Sequence, residues 1–334
     1  MVDFLLVHVD GPRPPRYPCP MMRRLPALAL ALTLSVLFTA GYGCTPKPGP
    51  ALTPEQAREE KQDSMAAGYL QTAMQDMHDG RFLAPEEAET PLTKAAELDP
   101  ELTDAFLYRA VARIQQEKWA GAELDLDRVI ELDPDMPRAF YLRGFARLRQ
   151  NKDTAALQDL TRCIELDDTR VDAYVQRGFL HNRAGQHQKA IDDFTQAIGM
   201  APGRFDSYYQ RGLANEALGR HYQAAQDFSN AIGADPSSSR AFAQRGKSYL
   251  RLNVFGRAIQ DLRQAAQMDP GAPEYLEMLA RAYAGREDYA SALKAIRRAL
   301  ALARARNITD RVDIMERLNA EYTARFLHPE PLIP

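Results

Sequence analysis

The chain has 334 residues, 45% hydrophobic, 8% aromatic and 26% charged, with a net charge of -3. That is apolar side chain enough for one continuous core, and a near-neutral balance gives no electrostatic reason to expect a nucleic-acid partner. Three cysteines in such a length imply no disulfide framework.

Residues 1–20 contain Pro12, Pro14, Pro15, Pro18 and Pro20, show no helical period and look like no targeting signal. Translation is therefore expected to start at Met21 or Met22. Residues 21–43 then read as a secretory signal: Arg23-Arg24, an apolar run over residues 25–40, and small residues in Gly41-Tyr42-Gly43-Cys44. The run falls short of the roughly 20 residues of a comfortable membrane span. The Gly-Cys pair resembles the lipobox of bacterial lipoproteins. That resemblance implies lipidation of Cys44, including palmitate-type acyl chains, as the first residue of the mature chain; several chains hold firmly where one would be marginal. Thr45 in place of aspartate implies the outer rather than the inner membrane, facing the periplasm. A simply cleaved signal, or a retained anchor that leaves the protein facing the cytoplasm, stay open as alternatives.

Residues 44–53 form an extended tether with Pro46, Pro48, Gly49 and Pro50. Thr53, Pro54 and Gln56 then give a helix N-cap, a proline at the first helical position and a capping glutamine.

From here a period of 34 residues runs down the chain. Asp99-Pro100, Asp133-Pro134, Asp235-Pro236 and Asp269-Pro270 share one register, Ala201-Pro202 holds it, and Asp168 stands where the proline would be. Small residues recur at Ala110, Gly144, Gly178, Gly212, Gly246 and Ala280, and alanine at 122, 156, 190, 224, 258 and 292. Apolar or aromatic residues occupy 106, 140, 174, 208, 242 and 276. Each unit reads as two antiparallel helices, A and B, brought close by the small residues and stopped by the proline.

This resembles the tetratricopeptide repeat family, whose unit carries an aromatic, a small residue, alanine, an apolar residue (here Leu126, Leu160, Phe194, Phe228, Leu262, Ile296) and proline at these positions. The resemblance covers residues 66–306 and implies an all-α fold, a right-handed superhelix or α-solenoid. A solenoid over 54–306 is expected, with about seven repeats: 66–102, 103–136, 137–170, 171–204, 205–238, 239–272 and 273–306. The first is degenerate. Tyr69 and Ala73 stand for its aromatic and small positions, Gly80-Arg81-Phe82 makes its turn, and about three extra residues fall near 83–85. Over 307–328, Ile308, Val312, Met315, Leu318, Tyr322 and Phe326 share one face, which predicts a terminal capping helix. A partner-binding amphipathic helix is the alternative. Pro329, Pro331 and Pro334 make 329–334 a non-helical tail.

No residues depart from the repeat in a way that suggests catalysis. His187 and His221 share the register of Trp119, Phe255 and Tyr289, and Cys163 that of Ala197, Ala231, Ala265 and Ala299. There is no HExxH, phosphate loop or paired-cysteine spacing, so neither enzyme activity nor a metal or other cofactor is expected. Arg109, Arg143, Arg177, Arg211 and Arg245 recur with Asp125, Asp159, Asp193, Asp227 and Asp261. These read as structural pairs between helices rather than an anion track.

The resemblance also implies a concave face lined by the A helices. The positions carried over are Leu107, Val111, Tyr141, Phe145, Val175, Phe179, Tyr209 and Leu213, turning basic at Lys247 and Arg281. Val111, Phe145 and Phe179 do not suit a carboxylate clamp. The apolar stripe suits an amphipathic helix or an extended peptide; burial of part of it by the superhelix itself is the alternative. The expected function is that of a lipid-anchored interaction scaffold for envelope protein partners, in secretion or pilus assembly. A regulatory subunit or adaptor of a cell-wall hydrolase or protease is an alternative.

Overall fold

The structure, a computed structural model, describes residues 53–328. The signal segment, Cys44, most of the tether and the 329–334 tail lie outside the described residues. Within them the chain is helical throughout, apart from one short hairpin. The first pair is α1 (Pro54–Met74) and α2 (Pro85–Leu98), separated by β1 (Met77–His78) and β2 (Arg81–Phe82). Then follow α3 (Thr103–Gln115), α4 (Trp119–Leu132), α5 (Pro137–Arg149), α6 (Asp153–Leu166), α7 (Val171–Arg183), α8 (His187–Met200), α9 (Phe205–Ala217) and α10 (His221–Ala234). The series ends with α11 (Ser239–Arg251), α12 (Phe255–Met268), α13 (Pro273–Ala284), α14 (Tyr289–Ala305) and α15 (Val312–Leu327). The chain divides into two compact units, one ending at Ala156 and the other beginning at Leu157, inside α6.

The repeat chemistry is visible in each hairpin. A Cβ placed on Gly178 would come within 2.9 Å of the Phe194 ring, and one on Gly212 within 2.7 Å of Phe228. The alanines at 122, 156, 190, 224, 258 and 292 are fully buried, as is Cys163. Helix B ends where the Asp register falls, and the aspartate side chain then holds the connection. Asp99, Asp133, Asp167, Asp235 and Asp269 each accept from the backbone N–H two residues on, at 2.9–3.2 Å. Asp167, one before Asp168, keeps the register at the place where the proline is missing.

The arginine ladder is a three-part contact. Arg177 lies over the Tyr174 ring at 5.6 Å and donates to Asp193 at 2.7 and 3.0 Å. Arg109 does the same with Phe106 and Asp125, Arg211 with Tyr208 and Asp227, and Arg245 with Phe242 and Asp261. Arg143 lies over Phe140 and also reaches Asp127 on α4 at 2.8 Å. Asp125, Asp193, Asp227 and Asp261 are buried, so those pairs join helix A to helix B in the interior; the Arg143–Asp127 bridge is part-exposed.

Two sequence expectations need correction. The insertion in the first repeat is not confined to 83–85: it is a hairpin whose central residues, Asp79 (φ 47°) and Gly80 (φ 77°), both have positive φ. That is the backbone of a two-residue hairpin turn, and Asp-Gly is its sequence signal. Phe82 of this hairpin is buried and is gripped on both sides by the Gln115 amide, at 2.9 and 3.0 Å. The terminal helix α15 does pack on α14 through Met315 and Tyr322, but Phe326 is 52% exposed because the helix overruns the last repeat.

Candidate functional site

In the first unit the expected groove is closed. Leu107, Val111, Tyr141 and Phe145 are buried, at 3, 2, 4 and 7% exposure. Helices α3 and α5 touch directly, Trp119 stands edge-on to Phe145 at 6.0 Å, and Arg149 covers the Trp119 ring at 5.0 Å. Large apolar side chains on adjacent A helices bury each other, so these four residues form core. Val175, at the start of the second unit, is likewise buried, in a cluster with Ala190, Phe194, Ala197 and Ala214.

The rest of the row lies in the second unit and keeps access to solvent. Phe179 on α7, Tyr209 and Leu213 on α9 and Lys247 on α11 are half-buried, and Arg281 on α13 is exposed. Tyr209 is fixed by stacking on Phe205 (5.3 Å) and by an edge contact with Phe228 (5.7 Å). Burial raises its phenol above the usual range, while Arg240 and a hydrogen bond with Gln244 oppose the shift. Asp206, on the same helix, is raised by burial against the pull of Arg204 and Arg240. Lys247 makes neither a hydrogen bond nor an ion pair among the described residues.

Arg281 is not a free cation. It donates to Glu277 at 3.0 and 3.2 Å, and Arg311 meets the other oxygen of the same carboxylate at 2.7 Å. Glu277 is fully buried, so the two arginines compensate its charge and tie α13 to the segment before α15. The i, i+4 spacing of Glu277 and Arg281 was a readable signal for this pair. The row thus passes from apolar (Phe179, Leu213) to one uncompensated cation (Lys247). Among the described residues, Gln176 and Gln244 each also hold a buried side-chain carbonyl oxygen without a hydrogen-bond partner.

The histidines serve the turns: His187 Nδ1 lies 3.2 Å from Asn182 Oδ1, and His221 Nδ1 lies 3.0 Å from Glu216 Oε1. Among the described residues no group of three or more His, Cys, Asp or Glu could hold a metal ion, and no helix is long and apolar enough to cross a membrane.

Comparison with known proteins agrees with this architecture. The tetratricopeptide repeat family matches residues 107–169, 180–239 and 244–307, together more than half of the chain. Comparison with curated proteins yields no match. Among solved structures, that of pilF from Pseudomonas aeruginosa is similar at 18% identity and a TM-score of 0.56, covering 66% of this chain and 99% of that one. YrrB, described as a tetratricopeptide protein with an unusual peptide-binding site, is similar at 20% identity and a TM-score of 0.50, covering 54% of this chain and 92% of its own. A structure of MamA shows 26% identity and a TM-score of 0.44 over 46% of this chain and 89% of that one. The chain belongs to the tetratricopeptide repeat family, whose members are protein-interaction scaffolds.

Proposed function

We propose that this chain is a non-enzymatic scaffold of the bacterial envelope. It is held at the outer membrane by lipid on Cys44, faces the periplasm, and recruits a protein partner through the A-helix row of its second unit. The observation that carries the reading is the run Phe179, Leu213, Lys247, in which half-buried apolar side chains end at a half-buried lysine with no partner among the described residues. A helix or extended peptide with apolar anchors followed by an acidic residue matches that order. Within that proposal, the role is assembly or recruitment of envelope, secretion or pilus machinery.

The test has two arms. A photo-crosslinking residue in place of Leu213 should give one discrete protein adduct in cells, and Lys247→Glu should weaken it about tenfold or more, as for the loss of a well-placed charge pair, while thermal stability is kept. An adduct unaffected by Lys247→Glu removes the row from the proposal. Separately, the mature protein should have the mass of a chain starting at acylated Cys44; retention of residues 25–40 would move the scaffold to a cytoplasm-facing anchor.

A further inference from the structure

The outward faces of the B helices change character along the chain. On α4, Arg128 meets Glu131 at 3.0 Å, and on α6, Arg162 meets Glu165 at 3.4 Å. The same register on α14 holds Arg298, but Ala301 stands where the glutamate would be. Lys294 and Arg297 lie beside Arg298 at helical spacing, α14 contains no Asp or Glu, and all three cations are exposed with no ion pair among the described residues. Arg263 on α12, one repeat before Arg297, is exposed and unpaired too.

The other end of the sequence has the opposite sign. Residues 53–136 carry twenty Asp and Glu against eight Lys and Arg, whereas residues 239–328 carry sixteen Lys and Arg against ten Asp and Glu. Glu97 and Glu101, at the end of α2 and just past it, are exposed and their carboxylates have no partner among the described residues. Glu97 sits in the last helical turn, where a carboxylate works against the helix dipole. It does not serve its own helix.

We infer that these surfaces are the two halves of one contact between copies of this chain. The basic face of α14 on one protomer, built from Lys294, Arg297 and Arg298, docks on the acidic end of α2, at Glu97 and Glu101, of a second copy. Because the two faces differ, the contact is head-to-tail, and it propagates unless the rotation between copies closes it into a ring. The same cations would attract any anionic surface, including a lipid bilayer, but the chain itself carries the complementary acid. The contact is independent of the A-helix row proposed for partner capture.

Sedimentation velocity on the full chain tests this. The Debye length falls from about 30 Å at about 0.01 M salt to about 8 Å at about 0.15 M. At the lower salt the weight-average mass should rise with concentration, and at the higher salt the association constant should fall about tenfold or more. Arg297→Glu with Arg298→Glu should abolish the association, and so should Glu97→Lys with Glu101→Lys. An equimolar mixture of the two variants should restore it, since each supplies the sign that the other has lost. A concentration-independent monomer at low salt overturns the inference, as does association indifferent to both reversals. Binding to phosphatidylglycerol vesicles that is lost with the arginine reversal, without self-association, would assign the face to anionic lipid instead.

Discussion

Gly212 and Phe228 illustrate how single side chains set the distance between paired helices. In the pairs where helix B carries a buried phenylalanine, helix A carries glycine, as at Gly178 with Phe194 and Gly212 with Phe228; Ala110 and Ala280 occur with the smaller Leu126 and Ile296. A methyl on Gly212 would sit 2.7 Å from the Phe228 ring, so the ring or the helix must shift. Gly212→Ala is expected to cost about 1–3 kcal/mol by overpacking, measured by denaturant unfolding. Combined with Phe228→Leu, the loss should be less than the sum of the two single losses, because the pair then copies Ala110 with Leu126. The arginine ladder obeys a similar local logic. Asp227 is buried, accepts from Arg211 at 2.7 Å and takes a further bond from Asn215 at 2.9 Å. Its carboxylate is compensated on both oxygens, and removing either partner would expose a charge to a poorly solvated site.

At the scale of helices, the first unit is held by charge where the second uses apolar contact. Glu89 on α2 receives Arg113 at 2.9 Å and Lys118 at 2.7 Å, and Glu123 on α4 receives Arg147 at 2.8 Å and Lys152 at 2.7 Å. Burial alone would raise both carboxyls; hydrogen bonds from the lysine and arginine outweigh it and hold each at about 2. The same register in later repeats is Leu157, Ile191, Ala225, Ile259 and Leu293. A folded pKa below the unfolded one stabilises at pH values above the unfolded pKa, and the gain is lost as pH falls through the folded pKa. The window therefore runs from about pH 4.5 down to about pH 2, with roughly 1–3 kcal/mol at stake for each carboxylate. Hydrogen exchange should show α2–α5 opening in this window before α9–α14. Glu89→Gln with Glu123→Gln should lower stability at neutral pH and flatten its acid dependence; an unchanged acid limb would mean that the clamps contribute nothing.

Much of this level was legible in the 34-residue register: A helices start at Thr103, Pro137, Val171, Phe205, Ser239 and Pro273 because that period sets which residues are small, aromatic or helix-ending. The hairpin at 77–82 lies outside the 34-residue register, and its signal is the local Asp79-Gly80 pair with positive φ at both residues. The groove was only half legible. A register position says which way a side chain faces, but not whether the neighbouring helix carries enough bulk to close over it, and between α3 and α5 it does. That Arg281 spends its charge on Glu277 is legible from their i, i+4 spacing and not from the 34-residue register.

Across the whole molecule, a repeat chain is stabilised by nearest-neighbour contacts, so a defect at one end should stay there. Helix α15 offers a clean test. Its Met315 is fully buried and its Tyr322 nearly so, in one cluster with Ile296, Ala299, Leu300 and Ala303 of α14 and Leu276 and Leu279 of α13. Burial pushes the Tyr322 phenol up to about 12, which accords with a site poor in water. Buried glutamate chemistry reinforces the same end, since Arg311 just before α15 completes the compensation of Glu277. If α15 is the lid of the last repeat, Met315→Ala should cost about 2–5 kcal/mol of local stability, the range for a cavity left by a buried methionine. Amide exchange should then speed up in α13, α14 and α15 and remain unchanged in α3 and α4. If α15 instead served mainly as a recognition helix for a partner, the substitution would leave exchange in α13 and α14 untouched. Equal acceleration along all the helices would mean that the chain unfolds as one cooperative body, and the nearest-neighbour account of its stability would fail.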